Sequence, residues 1–401
     1  MLLTIGIIFF IYVLTKVYIS TMEIGFISKA KQDPAVILEP SNYIKAANYK
    51  IASERMTMLS TLVEYVVFMF WIGFGLKWLE NVIQMQDQTL RSVVYVLAFI
   101  VIGYLFSLPF DLYKTFVLDK KFGFSNMTAK LYIIDTLKSM AMTIIFGGAV
   151  IWGIVKIMQS VDNWWLWGFV FVFAIILVIN MIYPTLIAPI FNKFSPLQDD
   201  DLNEAIQKLL KTVGLKSDGV FTIDASKRDN RLNAYFGGLG KSKRVVLFDT
   251  LIEKLNKPEL LAVLGHELGH YKHKDIFKNI VMMGLLMFVI FYIFGHLPDA
   301  LFSAVGIPKT PHSIIAMILI FAPIVSFFFM PLFGMVSRSN EFGADEFGAK
   351  SQDAVSLANA LQKLANENKS FPKSHPLYIF FYYTHPPLIE RLKRLGMKVD
   401  G

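Results

Sequence analysis

The chain contains no cysteine, which excludes disulfides and thiolate metal sites and leaves the redox compartment undecided. Charge is scarce as well: 17% of the 401 residues are Asp, Glu, Lys or Arg, where a soluble globular chain has about a quarter. Histidine is limited to seven residues, and there are no internal repeats or low-complexity tracts. Any metal must therefore sit on His, Asp or Glu. What fills the chain instead is apolar, 55% by count with a mean hydropathy of +0.51, which is a membrane-protein composition. The formal charge of +8 is the excess expected of basic loops beside membrane spans, so no nucleic-acid partner is expected.

A helix needs about 20 apolar residues to cross a bilayer. Seven runs qualify, near 1–19, 57–78, 92–113, 137–158, 164–189, 278–298 and 313–336. The N-terminal run lacks a basic start and a small-residue cleavage site, so it reads as a retained first span rather than a signal peptide. Basic residues gather in the first, third and fifth loops and in the tail, whereas QSVD at 159–162 and the loop at 301–312 are nearly free of them. The odd-numbered loops are thereby expected on the cytoplasmic side, with the N-terminus outside. The fifth loop and the C-terminal tail then share one side and can meet.

These two segments read as soluble structure. DDLNEAIQKLLKTV at 200–213 has helical periodicity with acids at its start. GVFTID at 219–224, RLNAYF at 231–236 and KRVVLF at 243–248 are β-prone, and GGLGKS at 237–242 between the last two signals a hairpin. Asn233 and Ala234 lie on the candidate edge strand, whose backbone can pair with an extended substrate. From KPELLAVLGHELGHYKHKD the period is helical again, with Pro258 in the first turn, where proline is tolerated. The expected organisation is spans one to five over 1–189, a metallopeptidase segment over 190–277, spans six and seven over 278–336 and a C-terminal segment over 337–401.

The chemistry concentrates in HELGH at 266–270. Residues four apart on a helix share a face, so His266 and His270 can hold one zinc ion with Glu267 beside its open position as general base. Two histidines do not close a catalytic site, which takes three protein ligands. SRSNEFGADEFGAK at 337–350 follows the seventh span on the same side; there Glu341 can ligate and Asp345, one turn on, can hold the second nitrogen of a zinc histidine. Taken alone, that segment also reads as a solvated helix start whose acids suit the dipole. Glu64 and Asp111 lie in or near spans, where charge faces protein, a wet cavity or the interface rather than lipid.

HELGH followed after one membrane hairpin by SRSNEFGAD resembles the type I CAAX prenyl protease family of integral-membrane zinc endopeptidases. FVLDKKFGFSNMT at 116–128, YPTLIAPIFNKFSPL at 183–197, NAYFGGLGKSKRVVLFDTLI at 233–252 and THPPLIERLKRL at 384–395 look like blocks of that family in its order. The HtpX-type membrane proteases share the zinc motif but have fewer spans. The resemblance implies an all-α polytopic protein with seven transmembrane helices around an internal chamber and a small α/β zinc-metallopeptidase domain capping the cytoplasmic side. It implies one zinc ion per chain on His266, His270 and Glu341, with Glu267 as base. Asp345 is implied as a proton-donating or ring-holding acid, His385 as an oxyanion donor and Arg391 as its neighbour near the substrate. Asp275 stands where relatives often carry His or Asp.

The expected activity is hydrolysis of peptide bonds at the cytoplasmic membrane face. In the family the substrate is a CAAX tail on a prenylated protein, with membrane lipid as a partner. The absence of cysteine leans toward a prokaryotic plasma membrane, or the endoplasmic reticulum if the source is eukaryotic. The alternatives are an HtpX-like quality-control protease without lipid preference and a non-catalytic zinc-binding membrane protein; the presence of Glu267 argues against the last.

Overall fold

The computed structural model describes residues 1–215, 217, 219–237 and 243–399, so most of GGLGKS lies outside the described residues. The first five helices are α1 (Leu2–Ala30), α2 (Pro40–Val82), α3 (Gln88–Lys121), α4 (Ala129–Ser160) and α5 (Trp164–Phe191), each long and apolar enough to cross a membrane. Next come α6 (Asp200–Thr212) and α7 (Lys257–Lys272). Two further helices of spanning length follow, α8 (Asp275–Gly295) and α9 (Pro311–Ser351), and then α10 (Ala354–Glu367), α11 (Pro376–Tyr382) and α12 (Leu388–Arg394). The seven expected spans are all present. Most of the helices outrun their apolar cores because charged turns at either end stay helical once clear of the bilayer.

The largest difference concerns α9. The seventh apolar run and the acidic segment after it form one helix of 41 residues, so Glu341 and Asp345 are not at a helix start. Pro323 and Pro331 both fall inside the apolar part, and nothing after them stops the helix before Ser351. At 1.5 Å per residue it is about 60 Å long, twice the hydrocarbon thickness, so its polar third projects well past the membrane.

Four short strands form a mixed sheet in the order β1-β2-β4-β3: β1 (Phe194–Pro196), β2 (Val220–Ile223), β3 (Ala234–Gly237) and β4 (Arg244–Phe248). β2 and β4 run parallel, while β3 and β4 form the expected antiparallel hairpin with Ala234 opposite Leu247. β3 is an edge strand and begins one residue after Asn233. Leu260, Leu264 and Leu268 of α7 pack with Leu202, Ile206 and Leu209 of α6 and with Val245 and Leu247 of the sheet. Each buried leucine contributes about 1.5–3 kcal/mol. This core holds α7 at the same end of the bundle as the third loop, where Arg228 pairs with Asp135 at 2.8 Å and Arg231 with Asp119 at 3.1 Å.

Candidate metal centre

α7 begins at a reciprocal cap. Asn256 Oδ1 accepts from the Glu259 N–H and Glu259 Oε2 from the Asn256 N–H, both at 3.0 Å, with Pro258 in the first turn as expected. Three stripes then run along the helix: the leucines toward the sheet, Gly265 and Gly269 toward α9, and His266 and His270 between. The glycines let the two helices nearly touch. A β-carbon on Gly269 would lie 2.7 Å from the Ala344 Cα, and one on Gly348 would lie 2.9 Å from the His266 nitrogen. That approach brings the third ligand, one turn from Asp345, against the histidines.

The result is a convergence of three donors. His270 Nε2 is 3.2 Å from Glu341 Oε1 and His266 Nε2 is 3.5 Å from Glu341 Oε2; one donor atom from each residue lies within 4.8 Å of the others. The other nitrogen of each ring is held by a carboxylate, His266 Nδ1 at 2.8 Å from Asp345 and His270 Nδ1 at 3.0 Å from Asp275. Those bonds fix both tautomers with Nε2 free to ligate. Asp275 reaches back to His270 because Lys274, at φ 58, turns the chain sharply between α7 and α8. Asp275 is itself held by Lys278 at 2.7 Å.

A metal ion fits these residues. Glu341 is 3% exposed, and its Oε2 has no hydrogen-bond partner among the described residues. An orphaned buried carboxylate oxygen is costly unless a cation answers it. Ligand bonds of 2.0–2.1 Å in a tetrahedron separate neighbouring donors by about 3.3 Å, close to the 3.2 and 3.5 Å between Glu341 and the two rings. Burial opposes charge on the His270 ring, yet its bonds to Glu341 and Asp275 outweigh that and push its pKa up to about 9, so the cluster favours positive charge. Burial pushes the Glu267 carboxyl upward, reinforced by Glu341 and opposed by His266, His270 and Arg391.

A cavity of about 320 Å³ opens over the cluster, lined by Glu267, His270, Glu341 and His385 among others. His385 is exposed to it, with Nε2 3.3 Å from Glu341 Oε1. Arg391, expected near the substrate, is buried and donates to both Asp345 oxygens, from Nε at 2.8 Å and Nη2 at 2.6 Å, leaving Nη1 3.5 Å from Glu341 Oε2. Asn233 lines a neighbouring cavity with His385 and Arg391, and its Oδ1 accepts the Ala234 N–H at 2.8 Å. Glu64 pairs with Lys16 at 2.8 Å, and Asp111 is exposed, so neither joins the centre. Sequence reasoning missed the glycine stripe, whose signal was the Gly265 and Gly269 spacing. It also missed the Arg391 pairing with Asp345, for which the sequence carries no signal.

The chain is similar to known proteins over most of its length. The family model described as CAAX prenyl protease N-terminal, five membrane helices, matches residues 28–193, and that of peptidase family M48 matches 196–398. The CAAX prenyl protease 1 homologue of Arabidopsis thaliana is 36% identical over 318 residues, 77% of this chain and 74% of that protein. CAAX prenyl protease 1 of Saccharomyces cerevisiae is 31% identical over 413 residues, 94% of this chain and 91% of that protein. The crystal structure of S. mikatae Ste24p is similar at 28% identity, with a TM-score of 0.92 over 99% of each chain.

Proposed function

The chain belongs to the CAAX prenyl protease family of M48 peptidases, and from that premise we propose a zinc-dependent mechanism and a prenylated substrate for it. It is an integral, multi-pass membrane metalloendopeptidase, with seven helices around an internal chamber. The ion proposed is zinc, held by His266, His270 and Glu341; two imidazoles and a carboxylate with a fourth position open are a catalytic zinc set. The observation that carries this reading is the convergence of the buried Glu341 carboxylate, whose Oε2 makes no hydrogen bond among the described residues, with the oriented Nε2 atoms of His266 and His270 beside Glu267.

When bound, the ion acts as a Lewis acid on the scissile carbonyl and brings the pKa of a water to about 7. Glu267 takes the proton of the attacking water and returns it to the leaving amine. Burial raises its carboxyl pKa, the direction that helps a carboxylate accept a proton. Asp345 and Asp275 keep the two rings aimed, and Arg391 keeps Asp345 in place. His385, open to the cavity, donates to the oxyanion. The substrate lies extended along the β3 edge at Asn233 and Ala234.

For the lipid, a second cavity of about 650 Å³ between α5, α8 and β3 is lined by Leu177, Tyr183, Tyr235 and Met283, and shares Phe236, Gly237 and Ile276 with the catalytic cavity. Such a passage suits a prenyl chain reaching the metal from the membrane. The loop charges favour the cytoplasmic side for this end of the bundle.

The test is cleavage of one CAAX peptide, farnesylated and unmodified, by the intact protein and by Glu267→Gln, each assayed for bound zinc. Cutting by the intact protein alone, with zinc in both and preference for the farnesylated peptide, is expected. Zinc in both with no cutting of either peptide or of an unfolded membrane protein would overturn the catalytic assignment. Equal cutting of the two peptides would assign a quality-control protease instead.

A further inference from the structure

Two buried carboxylates on the first membrane helices take no part in the chemistry above. Glu23 of α1 is 0% exposed and Glu54 of α2 is 4% exposed. Neither stands alone. Glu23 accepts from Ser374 Oγ and, at 2.8 Å, from the His375 N–H. Glu54 accepts from Ser20 Oγ and Tyr378 Oη, each at 2.8 Å, and Lys50 Nζ stands 3.1 Å from it.

Ser374, His375 and Tyr378 belong to one short piece of chain, the start of α11. Its other end is held from the metal-site helix, where Arg338 Nη1 donates to the carbonyls of Ile379 at 3.1 Å and Tyr383 at 2.5 Å. His385 follows two residues later. The segment is therefore gripped at its start by α1 and α2 and at its end by α9, and it carries none of the three metal-cluster residues.

A buried carboxylate is costly unless its oxygens are answered, and apolar side chains would join these helices at less cost. What hydrogen bonds add is direction, so two acids aimed at one segment fix its place along the bundle. We infer that Glu23 and Glu54 are positioning residues for His385, transmitting the placement of membrane helices α1 and α2 to the catalytic cavity. This rests on the oxyanion role proposed for His385. A shift of about 1 Å in a catalytic group costs on the order of a hundredfold in rate, so a partial loss of grip is measurable.

The full-length protein and its Glu23→Gln, Tyr378→Phe and His385→Ala variants, with both double variants carrying His385→Ala, are compared for kcat, KM and zinc per chain. Gln offers one oxygen where two donors converge on Glu23. Tyr378→Phe removes only the hydroxyl and leaves the ring beside Lys50, 4.0 Å from its centre, so it tests the grip without unburying a charge. Each single variant is expected to lose on the order of tenfold in kcat, with KM and zinc unchanged. In the His385→Ala background each is expected to cost less than about twofold, because residues acting as one unit are not additive. Losses that multiply, or full kcat in both single variants beside a slowed His385→Ala, overturn the inference alone. Full kcat in His385→Ala overturns the oxyanion role, and the inference with it.

Discussion

Gly269 faces Ala344 across the α7–α9 contact so closely that a methyl group on it would lie 2.7 Å from the Ala344 Cα and 3.1 Å from its carbonyl oxygen. Both are backbone atoms and cannot step aside. Helix propensity favours alanine over glycine by about 1 kcal/mol, whereas overpacking costs about 1–3 kcal/mol, so the clash wins. Gly269→Ala is expected to melt at lower temperature and to bind less zinc, because the same contact sets His266 and His270 against Glu341. Gly265→Ala meets Ser351 Cβ at 3.0 Å and Gly348 Cα at 3.2 Å, so its loss is expected to be smaller. Unchanged melting and zinc content in Gly269→Ala would show that the helices are free to part.

Glu267→Gln keeps the shape of the site and removes the base. A general base contributes about 10²–10⁴-fold, so kcat is expected to fall within that range. Zinc content should stay at that of the intact protein, since Glu267 lies outside the His266, His270 and Glu341 cluster. Loss of zinc along with activity would instead place Glu267 among the ligands.

Removing the ion should destabilise the fold as well as stop the reaction. Glu341 Oε2 then makes no hydrogen bond among the described residues and keeps the 3.5 Å approach of Arg391 Nη1, and a ligand at a thousand times its Kd stabilises by about 4 kcal/mol. A chelator is expected to lower the melting temperature in detergent, and added zinc to restore it. His266→Ala is expected to melt low and to ignore both treatments. A melting curve in the intact protein that the chelator leaves unmoved would argue against a structural contribution from the metal.

The membrane architecture was legible because hydrocarbon sorts residues by polarity alone, and seven apolar runs became seven helices. HELGH was legible because a helix puts residues four apart on one face, a rule needing no tertiary information. The edge position of β3 followed from its pattern, although β1 at 194–196, three residues against β2, is too short to leave a periodic signal. The continuity of α9 was missed because the polarity change at Ser337 looks like an element boundary, while helix formation depends on the absence of breakers. The buried acids Glu23 and Glu54 were passed over for a related reason. Glu64 and Asp111 stood out in apolar surroundings, yet Glu23 and Glu54, outside the apolar runs, are the buried ones, each with a partner brought from residues 374–378. Contacts across more than 300 residues leave no local trace.

Arg391 supplies the last prediction. Its guanidinium grips both oxygens of Asp345, which in turn holds His266 Nδ1 at 2.8 Å. Breaking a buried pair by removing one partner costs about 3–5 kcal/mol, because the other charge stays buried and unpaired. Arg391→Ala is therefore expected to lower the melting temperature and to weaken zinc binding by about 10–100-fold, the usual effect of losing an outer partner of a ligand. Lysine should rescue little, since a single ammonium cannot reproduce the two-pronged contact. Asp345→Asn in the Arg391→Ala background should recover part of the stability by removing the stranded charge, while leaving zinc binding weak. If Arg391→Ala matched the intact protein in both melting and zinc affinity, the pair would be ornamental, and His266 would have to be aimed by the packing of α7 on α9 alone.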